Sequence, residues 1–345
     1  MNILLVEPKY YTKYPPLGLL KIASYHRNKG DNVQLVRGAQ WVNSYPDLIY
    51  VTSLFTYAWK PVHDAIEFYK QWYPKARIIL GGIYASLMPE HAATTGVEVF
   101  TGVWEEVDNY MPAWDLVPSW KSSVLFSSRG CIRQCPFCGV RICEPKFVAL
   151  QSVRHLIYPG HKKIICWDNN ILASPYWRDI FQEFIESGLE VDFNQGLDAR
   201  LLTEEVAHWL KKMKIKIIRL AYDETVSRHF LSQAIRNLKS VGFRSKDIFV
   251  YVLYNFQDNP TDFLERIKDL MEWEVVAYPM RYEPINSLEK GKYISPGWTA
   301  MELEMVAKAR RVIGYAGSWP ATEGLKWKFG TATNFQEAFA LRPPR

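Results

Sequence analysis

The chain has 345 residues, 48% of them hydrophobic and 23% charged, with a formal net charge of +6, which fits a globular protein with one large or two medium cores and excludes a disordered chain. Its apolar runs stay well short of the ~20 residues a membrane helix needs, and the mild positive charge falls short of the concentrated footprint of a dedicated nucleic-acid binder. Five cysteines in this length, and an opening segment 1–6 too short for an export signal, argue against a disulfide framework and for a reducing cytoplasm.

Residues 1 to about 105 read as alternating strands and helices. Residues 2–6 are an unbroken apolar strand ended by Pro8. The segment 14–20 leads into a helix bearing Ile22, Ala23 and Tyr25, which Gly30 closes. Strands are predicted over 33–36 and 47–51, followed by a helix with Val62, Ala65, Ile66 and Tyr69, then strands over 77–82 and 97–100. Short apolar strands separated by helices predict a doubly wound, Rossmann-like parallel sheet over 1–108, and such sheets bind ligands beyond the carboxyl ends of their strands.

Residues 110–119 are rich in proline and aromatics and lack periodicity, so a linker is placed at 109–122. Strand signals then recur over 123–127, 163–167, 190–194, 215–220, 248–253 and 274–278. Helices fall between several of them. One runs from Ser174 and Pro175 to Gly188 with Trp177, Ile180, Phe181, Phe184 and Ile185 on one face. Another opens at Thr203, Glu204 and Glu205, and a third at Asn259 and Pro260 with Phe263, Leu264 and Ile267. Six βα units predict a partial (β/α)6 TIM-type barrel over 123–290, with polar residues at the strand ends lining its mouth. The remainder, 291–345, reads as a helix over 298–316 and a coil over 318–334, where Trp319 and Trp327 are packing residues.

Three of the five cysteines fall within eight residues, as Cys131, Cys135 and Cys138, in the loop after the first of these six strands. Random scatter would give that spacing with a probability of roughly one in a thousand. Three close thiolates suit a metal or an iron–sulfur cluster. A four-iron cube has four corners, so three protein ligands leave one iron open to a substrate or cofactor. Cys135 and Cys138 are also a C-x2-C pair of the zinc type, with Cys143 as a fourth ligand. Outside that reading, Cys143 and Cys166 are small core residues.

The x3/x2 spacing, with aromatic Phe137 directly before the third cysteine, resembles the radical S-adenosylmethionine (SAM) enzymes. Pro15 to Gly18, Gly81-Gly82 and Met88 to His91 resemble the cobalamin (B12)-binding-type domain that precedes many of them. The resemblance implies that Cys131, Cys135 and Cys138 hold a 4Fe–4S cluster whose open iron chelates SAM. An electron from the cluster then cleaves SAM to methionine and a 5′-deoxyadenosyl radical, with Phe137 near the adenine. It also implies a flavodoxin- or ferredoxin-type reductant as partner, and neither a membrane nor a nucleic acid is required. SAM carries a carboxylate, an ammonium and a ribose diol, so arginine, acid and amide groups at the strand ends are its candidate contacts. These are Asp168, Asn169 and Asn170 after the second strand, Asn194, Gln195, Asp198 and Arg200 after the third, Arg219, Tyr222, Asp223 and Glu224 at the fourth, Asn255 after the fifth, and Arg281, Tyr282 and Glu283 after the sixth.

With cobalamin bound, methyl transfer is the implied reaction, which would make the protein a transferase. The chain departs from the pattern in having no D-x-H-x-x-G motif and only Thr101 to Glu106 as the acidic segment after the last front strand. His91 is the cobalt candidate, read otherwise as a solvated loop histidine. Two alternatives stay open. In one the front domain is vestigial, binds no cobalamin, and the enzyme performs another radical modification. In the other the chain is a zinc-stabilised nucleic-acid-binding protein using Cys131, Cys135, Cys138 and Cys143.

Overall fold

The computed structural model describes residues 1–340; the last five positions of the predicted extension lie outside them. Strand β1 (Asn2–Glu7) is buried on both faces, with Leu4 and Val6 in one apolar cluster and Ile3 and Leu5 in another. That explains its continuous apolar run, since a strand covered on both sides has no solvent face to make polar. It is followed by α1 (Leu17–Asn28), β2 (Asn32–Arg37), β3 (Leu48–Ser53), α2 (Trp59–Trp72), β4 (Arg77–Gly82), α3 (Ile83–Leu87), α4 (Pro89–Ala93), β5 (Glu98–Val99) and α5 (Glu105–Asp108). The five strands are all parallel, in the order β2-β1-β3-β4-β5. Helix α2 covers one face through Val62, Ala65, Ile66 and Tyr69. Helix α1 covers the other through Leu19 and Ala23.

The chain continues through β6 (Ser122–Leu125), β7 (Ser128–Arg129), α6 (Val140–Cys143), β8 (Val148–Ala149) and β9 (Lys163–Cys166). Then come α7 (Trp177–Ser187), β10 (Glu190–Phe193), α8 (Glu204–Lys212), β11 (Ile218–Ala221), α9 (Arg228–Ser240), β12 (Ile248–Tyr254), α10 (Pro260–Glu272) and β13 (Val276–Arg281). Two parallel three-stranded sheets result, β10-β9-β6 and β11-β12-β13. They meet where β10 approaches β11: Leu197 N donates to Arg219 O at 2.8 Å, Val191 N donates to Lys214 O at 3.0 Å, and Asp192 pairs with Arg219. Alternate strand residues such as Ile164, Val191, Leu220 and Val250 pack with Phe181, Leu210, Ile235 and Ile267 of the intervening helices in one core. On β6 and β9, Val124 and Ile165 point the other way, against Leu17 and Leu20 of α1 and Trp114. Helix α1 is thus shared between the front sheet and the β6–β9 sheet.

Local signals placed several helix ends. Asn259 Oδ1 accepts from Thr261 N and Asp262 N at the start of α10, Thr203 caps α8, and Gly188 ends α7 at φ 65°. Ser174 lies outside α7; its Oγ accepts from Tyr176 N one turn earlier. The tail departs from expectation. Its first helix, α11, runs Ala300–Val312 from a Thr299–Glu302 capping box. The expected coil contains α12 (Glu323–Thr331), capped by Thr322, and α13 (Phe335–Phe339) follows. Trp319 is fully buried and bridges backbone-to-backbone with Ala277 of β13, whereas Trp327 is 71% exposed and packs no core. A segment without periodicity gave no sign of which tryptophan turns inward.

Candidate functional site

The cysteine loop leaves the carboxyl end of β6 and is fastened at its neck by acids. Asp168, just beyond β9, accepts from Ser127 N (2.8 Å), Ser127 Oγ (2.6 Å), Ser128 Oγ (2.7 Å) and Cys166 Sγ (2.9 Å). Its carboxylate therefore joins the ends of two neighbouring strands. Gly130 sits at φ 74°, and a Cβ there would collide with the Lys146 carbonyl, so the turn requires glycine. Glu144 closes the loop, accepting from Gly130 N at 2.7 Å, Asn169 Nδ2 at 2.9 Å and Arg129 Nη1 at 3.0 Å.

Arg129 also pairs with Asp108 at 2.5 Å, and Asp108 pairs with Lys21 of α1 at 2.7 Å. Burial works to raise Asp108, but the Arg129 guanidinium and the Lys21 ammonium outweigh it and hold the carboxyl well below its usual range. Burial lowers Lys21 to about 8 despite Asp108 beside it. The reactive-looking loop thus rests on a half-buried charge network that reaches back to the front sheet.

Cys131, Cys135 and Cys138 are free and partly exposed. Cys138 N donates to Cys135 O at 3.0 Å, the turn that a two-residue spacing permits. Cys131 Sγ accepts from Arg133 N at 3.3 Å, with Asn170 Nδ2 at 3.8 Å. Burial raises the Cys135 thiol, followed by the nearby Asp223 carboxylate and the other two sulfurs. Cys138 is raised by burial first, then by Cys131 and Asp223. Among the described residues, no three His, Cys, Asp or Glu side chains converge on a point that could hold a single metal ion. Cys143, the fourth ligand of the zinc alternative, lies near Cys138 and is pushed up to about 11, chiefly by burial.

Around the thiols the strand ends divide into two groups. Asp198 is a hub. It accepts from Arg133 Nε of the cysteine loop (3.1 Å), Asn170 Nδ2 after β9 (3.0 Å) and Arg200 Nε (2.7 Å). Asp223, after β11, is half-buried, and its carboxylate has no hydrogen-bond or ion-pair partner among the described residues. Burial raises it to about 6, with Arg266 and Arg200 opposing and Glu224 adding to the rise. Asn170 Oδ1 is buried without a partner. Phe137 meets Phe256 edge-on at 5.5 Å. Arg200, Asp223, Phe137 and the three cysteines thus share one neighbourhood with Asn170 and Asp198.

The other predicted residues are spent within the fold. Asp168 and Asn169 fasten the loop neck, as above. Asn194 Nδ2 donates to Tyr14 Oη at 2.9 Å, tying β10 to the segment before α1. Asn255 is fully buried at φ 67°, donating to Tyr293 O at 3.1 Å and accepting from Ser295 N at 2.9 Å. Sequence reasoning missed Arg266. It lies on the apolar stripe of α10 between Phe263 and Ile267, donates to the carbonyls of Tyr222, Asp223 and Leu253, and pairs with Asp258. An arginine on a buried stripe is the signal that would have found it.

The carboxyl edge of the front sheet packs on the same loop. An added Cβ at Gly139 would lie 3.2 Å from Leu87 of α3, and Thr56 Oγ1 donates to Ser287 O at 2.6 Å. His91 is no isolated loop residue. Its Nδ1 lies 2.5 Å from the hydroxyl of buried Tyr84, which lies 2.8 Å from His63 Nε2, and Trp59 meets both imidazoles edge-on. A separate cleft of about 540 Å³, lined by Arg27, Tyr110, Asp115 and His155 among others, shares no residue with the cysteine loop. No helix of the described residues is long and apolar enough to cross a membrane.

Three free thiols, donors of the soft type that a metal cluster takes, share one loop and stand beside a carboxylate and an amide oxygen that have no hydrogen-bond partner among the described residues. Compared with known proteins, the chain matches no family model and no curated sequence.

Proposed function

We propose that this protein is a radical SAM enzyme, with Cys131, Cys135 and Cys138 holding a 4Fe–4S cluster at the mouth of an open (β/α)6 barrel spanning 123–290. The observation that carries the reading is the company the thiols keep. They lie in one loop at the carboxyl ends of parallel strands, beside the Asp223 carboxylate and Asn170 Oδ1, neither of which has a hydrogen-bond partner among the described residues. The barrel is supported by the bonds between β10 and β11, which would join the two sheets in the sequential order β6-β9-β10-β11-β12-β13.

When bound, the cluster would supply the electron that cleaves SAM to methionine and a 5′-deoxyadenosyl radical. The chain's own residues bind and orient. Arg200 is held by Asp198 through Nε and Nη2, which leaves Nη1 for a ligand carboxylate, and Asp223 and Asn170 Oδ1 are the acceptors available to an ammonium or a ribose diol. Phe137 and Phe256 give an apolar wall that would exclude water from a radical. A flavodoxin- or ferredoxin-type protein would deliver the electron, in the cytoplasm. The front unit, 1–108, would place its carboxyl edge against the same loop, and cobalamin held there would make the reaction a methyl transfer.

Anaerobic reconstitution with iron and sulfide, then dithionite and SAM, tests this. The expected result is a brown protein that forms 5′-deoxyadenosine, detected by mass spectrometry, and loses that activity in Cys135→Ala. Cobalamin retained by the same sample would support methyl transfer; none retained would leave another radical modification. A colourless protein that keeps one zinc would overturn the whole reading.

A further inference from the structure

The guanidinium of Arg266 sits where the ladder between β11 and β12 runs out. The two strands pair from Ile218–Ile248 to Ala221–Tyr251, and Tyr222 N still donates to Tyr251 O at 2.7 Å. Beyond that level the carbonyls of Tyr222, Asp223 and Leu253 take a donor from Arg266 instead. Its Nη1 reaches them at 2.9, 3.1 and 2.7 Å, and its Nη2 pairs with Asp258. The side chain is 1% exposed and reaches back along α10, with Nε donating to Asp262 O at 3.3 Å.

Asp258 carries the tie onward. Its Oδ1 accepts from Phe256 N at 3.2 Å and from Trp298 Nε1 at 2.9 Å. It thereby fixes the turn after β12, where Asn255 holds a left-handed φ of 67° and Phe256 meets Phe137 of the cysteine loop. One buried ion pair thus joins the ends of β11 and β12, and each end carries a residue of the candidate site.

Asp223 is the more dependent of the two. Its carboxylate has no hydrogen bond or ion pair among the described residues, so no side-chain bond of its own orients it. Its carbonyl, and that of Tyr222 before it, are both held by Arg266 Nη1. We propose that Arg266, braced by Asp258, is a positioning residue of this site: buried out of a ligand's reach, it aims the Asp223 carboxylate at the ammonium or ribose diol of SAM. The inference rests on the reading of the cysteine loop as the SAM centre. A lysine at 266 would keep the charge but, with one nitrogen, could not serve the carbonyls and Asp258 together. An arginine with a structural role alone would add stability and leave SAM affinity untouched.

The test is equilibrium dialysis of SAM against the reconstituted full-length chain, with iron per chain and the urea midpoint recorded for each variant. Wild type should bind. Asp223→Ala should weaken binding about tenfold or more, the loss of one hydrogen bond to a charged group. Arg266→Lys should weaken it in the same direction with iron content unchanged, because its bonds go to β11, β12, α10 and the turn between them and not to the cysteine loop. In the Asp223→Ala background, Arg266→Lys should add little, since the group it aims is gone. Leu238→Ala, a buried change near the carboxyl end of α9, should lower the urea midpoint and bind SAM as wild type.

A folded Arg266→Lys with wild-type affinity overturns the proposal. So do losses at Arg266 and Asp223 that add in full, or a loss in Leu238→Ala as large as in Arg266→Lys. Should Arg266→Lys not fold, Asp258→Asn, which removes the charge facing Nη2, takes its place with the same expectations. Wild type that holds a cluster but no SAM sinks the enzyme reading and this role with it. Wild type that binds SAM, with variants that match it, sinks the positioning role alone.

Discussion

Arg133 Nε of the cysteine loop lies 3.1 Å from Asp198 Oδ2, beyond β10. The loop that carries the thiols is thereby held to a strand end 65 residues away in sequence. Because Asn170 and Arg200 bond the same carboxylate, its removal frees three groups at once. Asp198→Ala should lower stability by about 1–3 kcal/mol and cut the iron retained per chain after reconstitution. Urea denaturation and iron analysis check the two effects; normal iron content would show that the hub does not order the loop.

The two partners of the Arg129 network should behave unequally. Asp108→Ala leaves Arg129 and Lys21 without their shared counter-ion, and should cost about 3–5 kcal/mol. Lys21→Met removes an ammonium that is already poorly solvated, while Asp108 keeps Arg129, and should be nearly neutral. Equal losses in chemical denaturation would refute the asymmetry.

Asp223 gives a pH signature in the cluster-free chain. Its carboxyl is raised to about 6, first by burial. Between the ordinary carboxyl value of 3.8 and about 6 the folded state binds the proton and the unfolded state does not, so this group's contribution to stability falls as pH rises through that window. Asp223→Asn should therefore stabilise the protein at neutral pH, by about 1–3 kcal/mol, and flatten the slope across that window. A variant less stable than wild type at pH 7 would contradict it.

Tyr84 holds two imidazoles with one hydroxyl. His63 is lowered by burial and by His91, so between its folded value and the ordinary imidazole value of 6.5 the unfolded state binds more protons, and stability is lost as pH falls through that window. Tyr84→Phe should cost about 1–3 kcal/mol by leaving both ring nitrogens unpaired. NMR titration of the histidines before and after the change checks the assignment; an unmoved His63 would show that the hydroxyl does not couple to it.

Much of this architecture is legible from local pattern. The apolar runs of β1, β3 and β4 announce a sheet covered on both faces, Asn259, Thr203 and Gly188 mark helix ends, and the cysteine spacing stands out against a cysteine-poor chain. These signals act over a few residues, where strand period, backbone angle and capping are decided.

Which polar strand end is spent and which is left open was decided only by tertiary structure. Asp168 and Asp223 are both acids just past a strand, yet Ser127 and Ser128 arrive from forty residues away to saturate the first, and among the described residues no donor arrives to bond the carboxylate of the second. Trp319 and Trp327 divide in the same way, one taken up by the edge of β13 and one left in solvent. A side chain's partners come from distant chain segments, and the free energy of a buried polar group depends on whether those partners arrive. The sequence by itself determined the elements and the thiol spacing; the packing determined which groups near the thiols remain free to bind.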